Sequence, residues 1–193
     1  MNRTELIASK ILESIEIKHA VSEDKIILSQ LDTLAQKCLE SLKSGGKIVF
    51  AGNGGSFADA QHLSAEFTSR FLFNRKSLAS IALGTNSSSM SAIGNDYGFD
   101  QVFAREIEGI IKPEDIFIAI STSGNSENII QAVNKAKERE ITTTAFTGKT
   151  GGNLSTICEC IKIPSTNTAR IQECHILLGH ILCEIIEATL FNK

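Results

Sequence analysis

The sequence predicts an α/β fold in which a doubly wound, parallel sheet of five strands is flanked by helices. Short segments rich in β-branched and aromatic residues alternate with helical segments from residue 48 to residue 191. That alternation is typical of a parallel sheet with helices on both faces. The 193 residues suffice for one domain with a substantial core, so we expect a single domain over residues 1–193.

Two amphipathic helices are predicted ahead of the first strand, over residues 3–20 and 25–44. Their apolar residues keep near-helical spacing: Leu6, Ile7, Ile11 and Ile15, then Ile27, Leu31, Leu34, Cys38 and Leu42. Gly45 and Gly46 end the second helix, as glycines beyond a last turn do. Because this pair cannot bury all its apolar surface alone, we expect residues 1–44 to serve in oligomerisation, although packing on the sheet satisfies the same pattern.

The remaining elements alternate along the chain. The predicted strands cover residues 48–50, 80–83, 115–120 ("DIFIAI"), 141–146 ("ITTTAF") and 160–164. The predicted helices cover residues 56–71, 86–93, 99–111, 126–138 and 168–191, the last of them strongly apolar. In such sheets ligands bind at the carboxyl ends of the strands, in the loops that enter the helices.

Composition and charge exclude several classes of protein. The net charge is −3 at pH 7, and no basic patch of the kind that binds nucleic acid occurs in the sequence. No uninterrupted apolar run approaches the roughly 20 residues that a membrane span needs. The five cysteines are odd in number and form no C-x-x-C pair, which favours reduced, buried thiols. We therefore expect a cytoplasmic protein without nucleic-acid or membrane partners.

Two strand-to-helix loops carry residues suited to binding an anion: Gly52-Asn53-Gly54-Gly55-Ser56 and Ser121-Thr122-Ser123-Gly124-Asn125-Ser126. Both place hydroxyl or backbone N–H donors at a helix N-terminus, where free amides and the dipole favour negative charge. Neither fits a nucleotide loop, because the P-loop lysine is absent and Phe57 replaces the third glycine of the dinucleotide motif. Hydroxyls without a lysine suit one monophosphate, although serine-rich loops are also common N-caps.

The helix after the first loop has an apolar side and a polar side. The apolar side holds Ala60, Leu63, Phe67 and Phe71, and the polar side holds Asp59, His62, Glu66 and Arg70. His62 and Glu66 are four residues apart, so both can face one object in front of the strand ends, as a metal site or an acid–base pair requires. A solvated face with a Glu66–Arg70 ion pair explains the same pattern.

The last helix contains polar residues that its apolar surroundings do not explain. From Cys174 to Ile186 the helix is apolar on nearly all sides, which implies burial. Gln172, His175 and His180 therefore need hydrogen-bond partners or a chemical role. A single buried histidine is usually structural, but a second candidate cluster near the phosphate loops favours a shared site.

Five segments together resemble a known family: "GNGGSFADAQHLSAEFTSRF", "GNDYGFDQVF", "ISTSGNSENII", "TGKTGGNL" and "ARIQECHILLGHILCEIIE". In this order, over essentially the whole chain, they are similar to the sedoheptulose 7-phosphate (phosphoheptose) isomerases of the SIS (sugar isomerase) domain proteins. "STSGNS" alone marks any SIS domain, whereas its combination with "AEFTSR" and "RIQE" is far more specific.

The resemblance implies a flavodoxin-like SIS domain, a homotetramer, and conversion of D-sedoheptulose 7-phosphate to D-glycero-D-manno-heptose 7-phosphate, the first step towards ADP- or GDP-heptose for lipopolysaccharide or other envelope glycans. It implies Glu66 and His180 as catalytic residues and one zinc ion per subunit, bound by His62, Glu66, Gln172 and His180. The substrate-binding residues that it implies are Asn53, Gly54, Gly55, Ser56, Glu66, Asn95, Asp96, Ser121, Thr122, Ser123, Ser126 and Gln172.

Elementary chemistry agrees with these roles. Moving a carbonyl between C1 and C2 needs a base for a carbon-bound proton and a group for the hydroxyl protons, which a carboxylate and an imidazole supply through an enediolate. Zinc either stabilises an enediolate oxygen or only organises the site, because Glu66 cannot be a free base and a bound ligand at once. Ala169 replaces an acidic residue of some relatives, which leaves proton transfer to Glu66 and His180. His175 matches no functional position, and we expect it to be structural.

Other functions remain open. A similar SIS protein binds the bacterial replication initiator and is not an enzyme, but it lacks the counterparts of Glu66 and His180. Sugar-phosphate sensors fused to DNA-binding domains fit poorly, because the sequence has no helix-turn-helix or basic region. An isomerase of a pentose or amino-sugar phosphate is the remaining alternative, although pentose-phosphate members usually carry regulatory domains that we do not expect here.

Overall fold

The computed structural model describes residues 2–191 and joins the five predicted strands in one sheet. The strands are β1 (Ile48–Gly52), β2 (Ser80–Ala82), β3 (Ile116–Ser121), β4 (Thr142–Thr147) and β5 (Glu159–Lys162). All neighbours are parallel, in the order β2-β1-β3-β4-β5. This is the flavodoxin-like order, so the predicted fold class is confirmed.

The α-helices of the described chain are α1 (Arg3–Glu23), α2 (Lys25–Lys43), α3 (Gly55–Thr68), α4 (Ser87–Tyr97), α5 (Val102–Ile110), α6 (Glu127–Glu138) and α7 (Thr168–Phe191). Short 3-10 helices cover Phe99–Gln101 and Gly152–Thr156. The prediction ends α4 four residues early, at 93 rather than at Tyr97, and α3 three residues late, at 71 rather than at Thr68. The helix ends there because the Arg75 guanidinium binds the carbonyls of Glu66, Phe67 and Ser69, which satisfies backbone groups that a helix end leaves free.

The sheet is buried on both faces because side chains of its central strands alternate between two cores. In β1, Ile48 and Phe50 contribute to one core and Val49 and Ala51 to the other, as the two-residue period of a strand requires. The first core is completed by α2, α3 and α7, and the second by α5 and α6. Helices α3 and α7, which carry His62, Glu66 and His180, therefore lie on the same face of the sheet.

The two N-terminal helices pack differently. The buried residues of α2, including Leu34 and Cys38, belong to the core beneath the sheet. Helix α1 buries only Val21, and its apolar residues are exposed, for example Ile7 at 60% and Ile11 at 55%. Packing on the sheet is thus correct for α2, whereas the apolar residues of α1 from Leu6 to Ile15 stay largely exposed within residues 2–191.

Helix α7 is the one helix within residues 2–191 that is long and apolar enough to cross a membrane. Its buried side chains, among them Ile171, Leu178 and Ile186, belong to the core that it shares with α2 and α3. That packing is typical of a core helix in a soluble protein. All five cysteines are free, and four of them are buried, as predicted.

Candidate active site

The two predicted loops lie side by side at the point where the strand order reverses. The strands that precede them, β1 and β3, are neighbours, and Gly52 at the end of β1 is in register with Ile120. The side chains of Asn53 and Asn128 join the loops by two reciprocal amide hydrogen bonds of 2.8 and 2.9 Å. The loops therefore form one site at the topological switch point, where ligands of open α/β sheets bind.

Asn128 is a site residue that the sequence analysis missed. It lies in the first turn of α6, directly after the serine-rich loop, and only 3% of it is exposed. A buried amide normally has a hydrogen-bond partner, and the partner of Asn128 is the loop residue Asn53. The sequence does show an asparagine in the first turn after "STSGNS". Its role could not be inferred because its partner, Asn53, is 75 residues away in sequence.

The second loop presents hydroxyl groups at the N-terminus of α6. Ser121 Oγ lies 3.4 Å from Ser126 Oγ and accepts the N–H of Gly124 at 3.2 Å. The backbone N–H of Asn125 donates to Ser123 Oγ at 3.1 Å. Ser126 occupies the N-cap position, yet its side chain makes no capping hydrogen bond. This hydroxyl is therefore not used as an ordinary helix cap, which favours the predicted phosphate site over the N-cap interpretation.

A cavity of about 270 Å³ opens beside the second loop. Thr122 and Ser123 line it from the loop, together with Lys149, Thr150, Ser165, Thr166, Thr168 and Ile171. Most of these residues carry hydroxyl groups, and Lys149 adds a positive charge. The surroundings of the loop thus favour an anion although the loop itself contains no cation.

His62, Glu66 and His180 form a compact cluster where α3 faces α7. His62 Nε2 lies 2.8 Å from His180 Nε2 and 3.4 Å from Glu66 Oε1. One ligand atom from each residue lies within 4.8 Å of the other two. Two ring nitrogens this close cannot both carry a hydrogen. They therefore share one proton, or both bind the same cation. His62 and Glu66, which the sequence places on one side of α3, lie in contact with each other. The alternative Glu66–Arg70 pair is not formed among the described residues, since Glu66 pairs with His62.

The packing of α7 against α3 brings His180 to the cluster. Gly179 allows the close approach, because a Cβ there would lie 2.5 Å from Leu63 Cδ2. The ring of Phe71 stacks on His180 at a centroid distance of 5.6 Å. Burial lowers the pKa of His180, the nearby His62 lowers it further, and Glu66 opposes both effects. His180 is therefore poised as a neutral imidazole near pH 7, able to donate from one nitrogen and accept at the other.

The other predicted substrate residues fall into two groups. At the first loop, Gly54 and Gly55 are exposed, Ser56 is buried, and Gln172 reaches over from α7. A Cβ on Gly55 would lie 2.6 Å from Gln172 Nε2, so this glycine makes room for the amide.

Asn95 and Asp96 are exposed at the end of α4, where the Asn95 amide donates to Asp96 Oδ1 at 2.7 Å. Within residues 2–191 no hydrogen bond or ion pair joins either of them to the loops or to the histidine cluster. Neither residue is thus tied by hydrogen bonds to the loops or to the histidine cluster within the described chain.

His175 lies away from the cluster, inside the core. It is fully buried, with Nε2 3.2 Å from the carbonyl oxygen of Thr147 and its ring 5.8 Å from that of Phe146. Burial lowers the pKa of His175 to about 4, so the ring is neutral. These contacts are those of a structural side chain, in agreement with the prediction.

The cluster fits a divalent metal ion. Two imidazoles and one carboxylate, with ligand atoms within 4.8 Å of one another, match the donor set of catalytic zinc sites. The His62–His180 contact is also one that a bound cation would stabilise in place of a shared proton. The residues present are therefore compatible with zinc.

Comparison with known proteins identifies the family. Residues 13–148 match the SIS domain family. A phosphoheptose isomerase from Aneurinibacillus thermoaerophilus is 47% identical over 188 residues, which cover 97% of this chain and 95% of the relative. The chain belongs to the phosphoheptose isomerases of the SIS domain family. Phosphoheptose isomerase 2 of Campylobacter jejuni is 45% identical over 193 residues, or 100% of this chain and 96% of its own.

Solved structures of phosphoheptose isomerases agree with this identification. The enzyme from Neisseria gonorrhoeae superposes with a TM-score of 0.90 at 41% identity, covering 97% of this chain and 100% of its own. The phosphoheptose isomerase from Francisella tularensis gives 0.90 at 35% identity, covering 97% and 99%. The SIS domain match ends at Gly148 and omits α7, whereas these phosphoheptose isomerases match over nearly the whole chain, including the helix that carries Gln172 and His180.

Proposed function

We propose that this phosphoheptose isomerase converts D-sedoheptulose 7-phosphate to D-glycero-D-manno-heptose 7-phosphate through an enediolate. The observation that carries the proposal is the cluster of Glu66, His62 and His180 between α3 and α7, together with the contact of Gln172 on α7 with Gly55 of the first loop. A non-catalytic SIS protein has no need of a carboxylate and an imidazole held together in this way. This conversion would be the first step towards ADP- or GDP-heptose for lipopolysaccharide or other envelope glycans.

The substrate would lie across both loops. Its phosphate would be bound by Ser121, Thr122, Ser123 and Ser126 at the start of α6, and its polyol chain would lie against Asn53, Gly54, Gly55 and Ser56. Exposed glycines suit this role, because without Cβ atoms they let a sugar hydroxyl approach the backbone. Gln172 would contact the chain from α7. Asn95 and Asp96 keep a proposed substrate role on the resemblance alone.

The reaction needs two proton transfers. The Glu66 carboxylate would remove a proton from C1 of the ketose, exchange it with solvent, and deliver a proton to C2, and the negative charge would reside on the enediolate oxygens in between. His180 would move the other proton, from the C1 hydroxyl to the oxygen on C2. A neutral imidazole is suited to that exchange, and the lowered pKa of His180 keeps it neutral near pH 7.

Zinc, if bound, would be held by His62, Glu66 and His180, and the resemblance alone adds Gln172, whose amide lies against Gly55 two turns before His180 on α7. The metal would supply a Lewis acid for an oxygen of the reacting carbons. Ligation would make Glu66 a weaker base, so metal binding and proton abstraction compete for the same carboxylate. Retention of full activity in chelator by zinc-free protein would remove the metal from the chemistry.

The assay for this proposal is turnover of sedoheptulose 7-phosphate by the purified protein. We expect Glu66→Gln and His180→Gln to lower kcat by about 10²–10⁴-fold, the range for loss of a general acid or base. The matched control is His19→Gln, since His19 is an exposed histidine of α1 paired with Glu23, and it should leave kcat unchanged. Turnover in D₂O should place deuterium on the reacting carbons.

Two outcomes would contradict the proposal. Turnover without solvent deuterium in the product would indicate a hydride shift rather than an enediolate. An inert wild-type protein that captures the replication initiator would favour the scaffold function, and activity only on a pentose or amino-sugar phosphate would favour the other isomerases.

Assembly and cellular location are part of the same proposal. We propose a cytoplasmic homotetramer in which residues 1–44 form part of the subunit interface. The support is the exposed apolar face of α1, with Leu6, Ile7, Ile11, Leu12 and Ile15 all more than two-fifths exposed, since contiguous apolar surface of this kind usually marks an interface. Light scattering of the purified protein measures the subunit number directly.

A further inference from the structure

A buried ion pair lies behind the reactive cluster and has no role in the chemistry described above. Arg75, in the irregular segment after α3, donates from Nε to Glu187 Oε1 of α7 at 2.7 Å, and each side chain is only 2% exposed. A buried pair of this kind costs desolvation energy, so it is weak evidence for stability in itself. Its contacts show what else it does.

The Arg75 guanidinium binds the end of α3, the helix that carries Glu66. Nη2 donates to the carbonyl oxygen of Glu66 itself at 2.8 Å, and Nη1 donates to that of Phe67 at 2.7 Å. The planar fork of an arginine can make these bonds together with its bond to a carboxylate, which a lysine cannot do. The backbone of Glu66 is therefore fixed by Arg75.

The Glu187 carboxylate binds the segment that follows α3. It accepts the backbone N–H groups of Phe71 at 2.9 Å and of Leu72 at 2.7 Å. Burial alone would raise the pKa of Glu187, but these two amides and Arg75 hold it below its usual range, so the carboxyl is ionised. Glu187 thus sets the position of Phe71, whose ring stacks on His180.

Glu187 is also seven residues after His180 on α7, which places both on the same face of the helix. We propose that Arg75 and Glu187 are positioning residues that hold Glu66 and His180 at their working separation. The inference rests on the proposed function, in which these two groups transfer protons to and from one substrate. Proton transfer depends steeply on distance, and a misplacement of about 1 Å can lower the rate by about 100-fold.

The test compares Glu187→Gln with a matched variant, Asp115→Asn, at the amino-terminal end of the central strand β3. Asp115 is likewise buried and pairs with Lys47 Nζ, and its carboxylate also accepts two backbone N–H groups, those of Lys47 and Lys112. It precedes β3, whereas the site lies after the carboxyl end of that strand. We expect both variants to lose thermal stability, but only Glu187→Gln to lower kcat by at least about 10-fold with KM changed less than about 2-fold.

A second variant keeps the test decisive if Glu187→Gln does not fold. A second measurement keeps it decisive if the protein does not turn over the sugar phosphate. Arg75→Lys keeps the charge that faces Glu187 but cannot bind all the α3 carbonyls, and we expect a smaller loss of kcat in a folded protein. NMR of the histidine rings reports the geometry without turnover. The chain has four histidines, so the His180 signals can be assigned from His180→Gln, and the Phe71 ring current should shift them in Glu187→Gln but not in Asp115→Asn.

Each result decides between positioning and simple stabilisation. Equal loss of kcat in Glu187→Gln and Asp115→Asn, or unchanged kcat and unchanged His180 signals in Glu187→Gln or Arg75→Lys, would overturn the proposal. If the wild type does not turn over the sugar phosphate, the proposed function fails, and the NMR comparison alone then tests whether this pair holds His180.

Discussion

The two loops of the proposed site differ in how they are held. The loop after β3 is fixed by the loop after β4, through hydrogen bonds from Gly148 N–H to Thr122 O at 3.0 Å, from Leu154 N–H to Gly124 O at 3.0 Å and from Asn153 N–H to Asn125 Oδ1 at 2.8 Å. The loop after β1 has Gly54 and Gly55 exposed at its tip, and the side chain of Gln172 approaches it from α7.

This difference fits two halves of one ligand. A phosphate is symmetric and strongly solvated, so it is bound best by donors that are already in place, as in the loop after β3. A polyol chain needs room beside the backbone, and the loop after β1 offers it because two glycines lack side chains there. Glycine substitutions in the two loops should therefore impair the protein in different ways, one through stability and the other through substrate binding.

Gly124→Ala should have the largest effect. Gly124 has a φ of 68°, and a Cβ there would lie within van der Waals overlap of the carbonyl oxygen of Gly151, a backbone atom that cannot turn away. Left-handed strain and overpacking together should lower the free energy of unfolding by about 3 kcal/mol. Urea denaturation at one protein concentration measures this change, and KM for the sugar phosphate should rise because the loop is displaced.

Gly45→Ala is the control for Gly124→Ala. Gly45 also has a positive φ, of 89°, but a Cβ there would meet nothing within 4 Å. Gly45→Ala should lower the free energy of unfolding by only about 1 kcal/mol, the cost of placing an alanine in the left-handed conformation. Equal losses in the two variants would mean that the contact with Gly151 does not hold the loop.

Gly55→Ala should act on substrate binding rather than on folding. The Cβ would lie 2.6 Å from Gln172 Nε2, the end of a flexible side chain that can move aside. We expect KM to rise about 10-fold, equivalent to about 1.4 kcal/mol of lost binding, with little change in the free energy of unfolding. Steady-state kinetics and urea denaturation separate the two effects.

The control for Gly55→Ala is Gly109→Ala, in α5, where a Cβ also meets nothing within 4 Å. Its KM should equal that of the wild type, and it should be slightly more stable because alanine favours the helix. A normal KM in Gly55→Ala would show that Gln172 does not need its position against the first loop.

The sequence predicted the sheet well because its strands carry local signals. Segments such as "DIFIAI" are β-rich, apolar and bounded by turn residues, and their periodicity does not depend on distant contacts. The end of α3 was placed three residues too late, because the Arg75 guanidinium that binds its last carbonyls comes after the helix. Such a cap leaves no mark in the periodicity.

The site was predicted where residues follow a motif and missed where they depend on long-range contact. Four-residue spacing put His62 and Glu66 on one side of α3, but the pattern of α7 does not separate His180 from His175, and only the family resemblance did so. Five residues apart on a helix means about 140° of rotation, and only the packing shows that His180 faces α3 while His175 faces β4. Likewise the Arg75–Glu187 pair joins residues 112 apart in sequence, which no motif reveals.

The smallest effect expected is on the link between the two loops. Asn53 and Asn128 exchange two hydrogen bonds, so each single alanine variant leaves one amide without its partner. In a double-mutant cycle the variants Asn53→Ala and Asn128→Ala should show a coupling of about 1 kcal/mol in the free energy of unfolding, because the double variant leaves no unpaired amide.

The control cycle pairs Asn53→Ala with Asn134→Ala, which also lies on α6 but beyond its first turn. These two should be additive within about 0.5 kcal/mol, as independent sites are. If the Asn53–Asn128 coupling is no larger than that, the loops are positioned separately by β1 and β3. If it is larger, a rigid phosphate loop transmits its position to the open loop, and Asn128→Ala should raise KM although it touches no part of the proposed substrate.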